Sequence, residues 1–197
     1  DAPVFLPPVT PPITVPTQGA FDAMSPDEQA EIILGLDTAD AVQLLEGAST
    51  SDAALILDNI DRETAANLVE YMDMATVVEI FVETEVETAA EILAFTSIEN
   101  ATSILMQLNN LLGAQIVEEM GLAAAEDIME QATLSDEITS AALMMNTLEA
   151  EFAGDVLLGL EPFTGAQVLR EMAMHDLTSA ALRLEMAVKR QIETVEP

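Results

Sequence analysis

The sequence predicts an all-α solenoid, and two observations carry that prediction. From residue 25 onward the chain divides every 12 residues with almost no gap, and each unit opens on a helix-capping residue followed by apolar residues at the spacing of one helical face. A third observation, six of the nine prolines within the first 20 residues, places an extended arm ahead of the array. The chain is therefore expected to comprise a proline-rich arm over 1–20 and a helical repeat domain over 21–197, the latter a right- or left-handed superhelix of about thirteen short helices.

The arm reads DAPVFLPPVTPPITVPTQGA. Pro3, Pro7, Pro8, Pro11, Pro12 and Pro16 fix φ, remove amide donors and push the residues before them into extended conformations, so no helix is expected there. In polyproline II geometry, 20 residues would span about 60 Å. Val4, Phe5, Leu6, Val9, Ile13 and Val15 make the arm apolar, which suits docking on its own body or on another copy as well as a plain spacer. Asp1 in place of Met fits export with a signal peptide removed, giving an extracellular or cell-surface protein, although a truncated chain would look the same and a cytoplasmic location is the alternative. One sequon, Asn100-Ala101-Thr102, would suit a glycan on Asn100.

The units run SPDEQAEIILGL, DTADAVQLLEGA, STSDAALILDNI, DRETAANLVEYM, DMATVVEIFVET, EVETAAEILAFT, SIENATSILMQL, NNLLGAQIVEEM and GLAAAEDIMEQA over 25–132. Four inserted residues, 133–136, precede EITSAALMMNTL, EAEFAGDVLLGL and EPFTGAQVLREM, and a final helix starts near Asp176. First positions such as Ser25, Asp37, Ser49, Asp61, Asp73, Ser97 and Asn109 have side-chain oxygens able to accept from first-turn amides, with Glu28, Asp40 and Asp52 three residues on as capping-box partners. Pro26 and Pro162 sit where a helix tolerates proline best. Positions 5, 6, 8, 9 and 12 are apolar, as in Ala53, Ala54, Ile56, Leu57 and Ile60. Helices this short are marginal alone, so stacking is obligatory. The fifth position is small in most units (Ala41, Ala65, Gly113, Gly165), which lets successive axes approach.

Two of these units, DRETAANLVEYM and SPDEQAEIILGL, resemble the tandem unit of the cytoplasmic N domain of MgtE-type magnesium transporters, a superhelix of short helices. A related array occurs in the G-type flagellar motor switch protein. The resemblance spans about 25–172 and implies a magnesium-sensing role, in which acidic residues share cations with a neighbouring regulatory domain. It assigns no cation ligand to a numbered residue. Within these 197 residues no counterpart of the regulatory or transmembrane parts is expected, and the proline-rich arm departs from the family's plan.

Composition narrows the chemistry. With 36 Asp and Glu against 5 Lys and Arg the net charge is −31, so phosphate is repelled and nucleic acid is not expected as a partner. Half the residues are apolar and the mean hydropathy is +0.32, enough to fold rather than stay disordered. No run of 18 uncharged apolar residues occurs, so no transmembrane segment is expected. Without cysteine there is no disulfide, thiolate nucleophile or zinc-thiolate site, and the single histidine, His175, leaves no imidazole dyad. His175 reads as an exposed or capping residue, and Met144 and Met145 as core filler.

Carboxylates cluster at Glu118-Glu119, at Glu126, Asp127 and Glu130, and at Glu149, Glu151 and Asp155, without the spacing of a calcium loop. They read as solvated helix faces holding Ca2+ or Mg2+ diffusely; no cofactor, catalytic residue or defined metal cage is assigned. Four of the five basic residues, Arg170, Arg183, Lys189 and Arg190, fall in 170–197, where five acids leave a net of −1. The preceding residues carry −30.

An open-ended apolar solenoid with a basic end and an acidic body suggests a non-enzymatic structural subunit. Copies would join head to tail into an extracellular filament or surface layer, the arm docking on a neighbour. The alternative is a cation-sensing or adaptor module, like the magnesium-transporter N domain, that binds a protein partner.

Overall fold

The computed structural model describes residues 14–195. Among them are fourteen helices: α1 (Gln18–Phe21), α2 (Pro26–Gly35), α3 (Thr38–Gly47), α4 (Thr50–Asn59), α5 (Arg62–Tyr71), α6 (Met74–Glu83), α7 (Val86–Phe95), α8 (Ile98–Gln107), α9 (Asn110–Met120), α10 (Leu122–Leu134), α11 (Ile138–Met145), α12 (Ala150–Gly159), α13 (Pro162–His175) and α14 (Leu177–Val195). The all-α repeat expected from the sequence is present. The short extra helix α1 lies within residues read as arm and turn.

In α2 to α8 each helix occupies positions 2 to 11 of its unit. The twelfth residue and the next first residue are both extended, at φ near −60 to −100° and ψ near 130 to 165°, so the chain reverses over two residues. Side-chain caps form at Ser25, Asp37, Ser49, Asp61, Asp73 and Asn109. Only Ser25 and Glu28 complete the reciprocal capping box. The Asp52 amide donates to Ser49 Oγ, yet the Asp52 carboxylate returns to that hydroxyl and not to the Ser49 amide.

The packing follows second neighbours. Odd helices α1 to α13 form one continuous stack and even helices α2 to α14 another, each helix pressing on the one two places along. The predicted face is the buried one: Ala53, Ala54, Ile56, Leu57 and Ile60 are all at most 5% exposed. Where the fifth residue is glycine its role is direct. A Cβ on Gly113 would lie 3.2 Å from the Leu105 carbonyl of the preceding helix, and one on Gly165 would lie 3.5 Å from the equivalent Leu157 carbonyl. At these two positions the start of the helix lies against the last turn of its predecessor, and a Cβ on Gly113 would also face Met144 Sδ of α11, two places along, at 3.1 Å.

The insertion is absorbed locally. Its first two residues extend α10, and Ser135 and Asp136 make the turn, with Asp136 at φ 61°, a region a short polar side chain tolerates. The unit that follows yields the short helix α11, and its last turn is held by a side chain from α14.

Candidate functional site

Arg183 is that side chain, and it departs from its expected role. Read as part of a basic end, it is only 5% exposed. Its Nε donates to the Met145 carbonyl at 2.7 Å, and Nη2 donates to the Asn146 and Leu148 carbonyls at 2.7 and 2.6 Å. Nη1 donates to Ser179 Oγ at 2.8 Å. Burial pushes the guanidinium pKa down, while the charge of Asp176 opposes that. The partial negative charge at the C-terminus of α11 and the carbonyls that follow it take the place of a salt bridge. Opposite it, Gly154 of α12 admits the α14 backbone, since a Cβ there would be 3.0 Å from the Ala187 amide nitrogen.

The remaining basic residues divide. Arg190 meets Asp155 at 3.2 Å and Glu151 at 3.9 Å. Lys189 is exposed and lines a small pocket with Glu151 and Arg190. Arg170 is exposed beside an open apolar groove of about 440 Å³ between α13 and α14, lined by Leu169, Ala173, Leu177, Ala180, Ala181 and Leu184. The basic end is thus one buried clamp, one ion pair and two exposed cations.

At the opposite end of the array a second open groove, of about 400 Å³, is lined by Met24 and Ile32 with Glu28 and Glu31. Of the arm residues, Val4, Phe5, Leu6, Val9 and Ile13 lie outside the described residues, and Val15 is 45% exposed. Asn100 is half-buried within α8 and Thr102 is fully buried, a poor match to the surface loops that glycan acceptors favour. His175 closes α13, with Nε2 3.7 Å from Glu171. Met144 and Met145 are buried.

The carboxylates do more than cover a solvated face. Glu46 and Glu70, at the tenth position of their units, accept from the backbone amides of Asp73 and Ser97 at 2.7 Å each. Glu118 does the same for the Glu149 amide at 2.7 Å, and Glu130 reaches the Glu161 amide at 3.4 Å. Each joins helix n to the N-terminus of helix n+3, so it ties one stack to the other. Sequence reasoning missed this role, although the recurrence of Glu at the tenth position was its signal.

The same fold gathers the acids singled out in sequence. Glu118 and Glu130 reach the starts of α12 and α13, Glu126 overlies Gly159, and Glu151 and Asp155 hold Arg190. Glu28 and Asp61 both lie below the ordinary carboxyl range, held there chiefly by the backbone hydrogen bonds of their capping turns. Arg62 is the one basic residue before 170. It bonds Glu91 at 2.7 Å and lies beside Asp58, whose carboxylate accepts from Thr88 at 2.6 Å.

No group of three or more His, Cys, Asp or Glu side chains among the described residues is placed to hold a metal ion. No helix among them is long and apolar enough to cross a membrane.

A family model described as the MgtE intracellular N domain matches residues 17–76 and 48–144. The two placements overlap, as expected when one periodic unit can be laid on the chain in more than one frame. Together they span 128 of the 197 residues and end within α11. No curated protein and no solved structure matches the chain.

Proposed function

The chain belongs to the MgtE intracellular N domain family, and from that premise we propose that it is a non-catalytic, cation-responsive adaptor module that binds a protein partner on the cytoplasmic side. The observation that carries the proposal is family membership, joined to a net charge of −30 over 1–169, whose described residues form a two-stack helical array. Carboxylates on successive turns repel one another at a spacing set by the packing. Divalent ions condensed among them would lower that repulsion more than monovalent ions do. The family's description as intracellular favours the cytoplasmic location over the extracellular one suggested by Asp1.

The test is thermal unfolding at matched ionic strength in MgCl2, CaCl2 and NaCl. A higher Tm in the divalent salts, with tightening of the scattering profile, supports a cation-responsive module. Identical Tm values in all three would remove the cation response.

A second reading, assembly of copies head to tail, is favoured by one specific observation, the open apolar groove at each end of the array. In that reading the divalent ions would screen the acidic bodies from one another.

A further inference from the structure

The groove between α13 and α14 occupies the place where the next turn of the superhelix would sit. Every earlier helix, up to α12, is covered by the helix two places on, whereas α13 and α14 have no such successor among the described residues. Their uncovered side is built like a core face. On α14, Leu177, Ala181, Leu184, Val188 and Ile192 follow a four-three-four-four spacing along one stripe, and the four large side chains are 47 to 71% exposed. That is a wide apolar surface for a soluble helix to leave to water.

We infer that this groove receives the α1–α2 end of a second copy of the chain. Two features of the first helices suit it. Met24 and Ile32 are only partly buried and line an open groove, so the head also has apolar surface to cover. Glu28 and Glu31 border that surface, while Arg170 borders the receiving groove and makes no ion pair among the described residues, so the two rims are complementary in sign. A second copy also supplies the kind of face the groove lacks, a short helix pair of the same repeat. Because tail and head are different surfaces, the contact is heterologous and propagates instead of closing as a two-fold dimer. The groove lies beyond the residues matched by the family model, so the inference concerns a part of the chain that the family does not describe. It rests on the assembly reading and is independent of the cation response.

The experiment is sedimentation velocity of the full chain over a wide concentration range in physiological salt, on wild type, Leu184→Glu, Arg170→Glu, Glu31→Arg, the Arg170→Glu/Glu31→Arg double variant and a chain lacking residues 1–13. Circular dichroism confirms that each is folded. Leu184 is 47% exposed and Arg170 and Glu31 are exposed, so all three sites can be changed without opening the core.

The expected result is concentration-dependent association that Leu184→Glu abolishes. Each single charge reversal should weaken it about tenfold, the double variant should restore it, and removal of 1–13 should leave it in place. A wild-type chain that stays monomeric throughout would overturn both the inference and the assembly reading. Association that is indifferent to Leu184→Glu, or that disappears with residues 1–13, would overturn the inference alone and move the contact to the arm. A lack of recovery in the double variant would also reject it, because the head would then not be the occupant.

Discussion

The carboxylate of Glu70, in the last turn of α5, accepts from the backbone amide of Ser97 at 2.7 Å, capping α8 from the other stack. Ser97 makes no side-chain cap of its own, so Glu70 supplies an acceptor at a helix N-terminus that its own sequence neighbourhood leaves without one. Glu70→Ala should therefore destabilise the fold by about 0.5–1.5 kcal/mol, and Glu70→Gln, which keeps an oxygen acceptor, by less. Urea unfolding of the two variants against wild type checks this; equal losses would mean that charge and not the hydrogen bond carries the effect.

Arg183→Met should cost about 3 kcal/mol, because three carbonyls at the end of α11 and in the turn after it lose their buried donor together. Arg183→Lys should recover only part of that, since one ammonium cannot reproduce the planar fork. Hydrogen exchange is the sharper readout. The loss should fall on α11 and α14 and leave α3 to α7 as protected as in wild type.

Two glycines should respond oppositely to alanine. At Gly154 the new Cβ would press on the α14 backbone at 3.0 Å, and backbone cannot swing aside, so Gly154→Ala should cost about 1–3 kcal/mol. At Gly159 the obstruction is only the carboxylate end of Glu126, which can move into solvent. Gly159→Ala should therefore stay within about 0.5 kcal/mol of wild type or gain slightly from helix propensity. Thermal unfolding of the pair separates a backbone contact from a side-chain one.

Asp61 caps α5 through the Thr64 amide at 2.9 Å, and its carboxyl lies below the ordinary value of 3.8. The sign of the linkage follows. A lowered folded pKa contributes stability that is complete above 3.8 and is lost as pH falls through the folded value. The Tm difference between wild type and Asp61→Ala should therefore be constant from neutral pH down to about 5 and shrink below 3.8. A difference that instead stayed constant through 3.8 and below would show that the cap does not depend on the charged form.

The sequence by itself determined the unit of this protein. Capping oxygens at Ser25, Asp37, Ser49 and Asp61 and the apolar face through Ala53, Ala54, Ile56 and Leu57 are local consequences of residue type and a 3.6-residue period, so helix starts and the buried side could be read in order. It also carried the family resemblance, through the same small, acidic and aliphatic pattern. What it could not decide is which helix each face meets, because an apolar stripe is equally satisfied by a first or a second neighbour. Only the tertiary structure sets odd helices on odd and even on even. From that pairing follow the glutamates that cap across the stacks, such as Glu46 on Asp73 and Glu70 on Ser97. The same limit applies to charge. Arg170, Arg183 and Arg190 are alike in sequence, but one is exposed beside a groove, one is buried against carbonyls and one pairs with Asp155, since the fate of a long charged side chain depends on the backbone the fold brings within its reach.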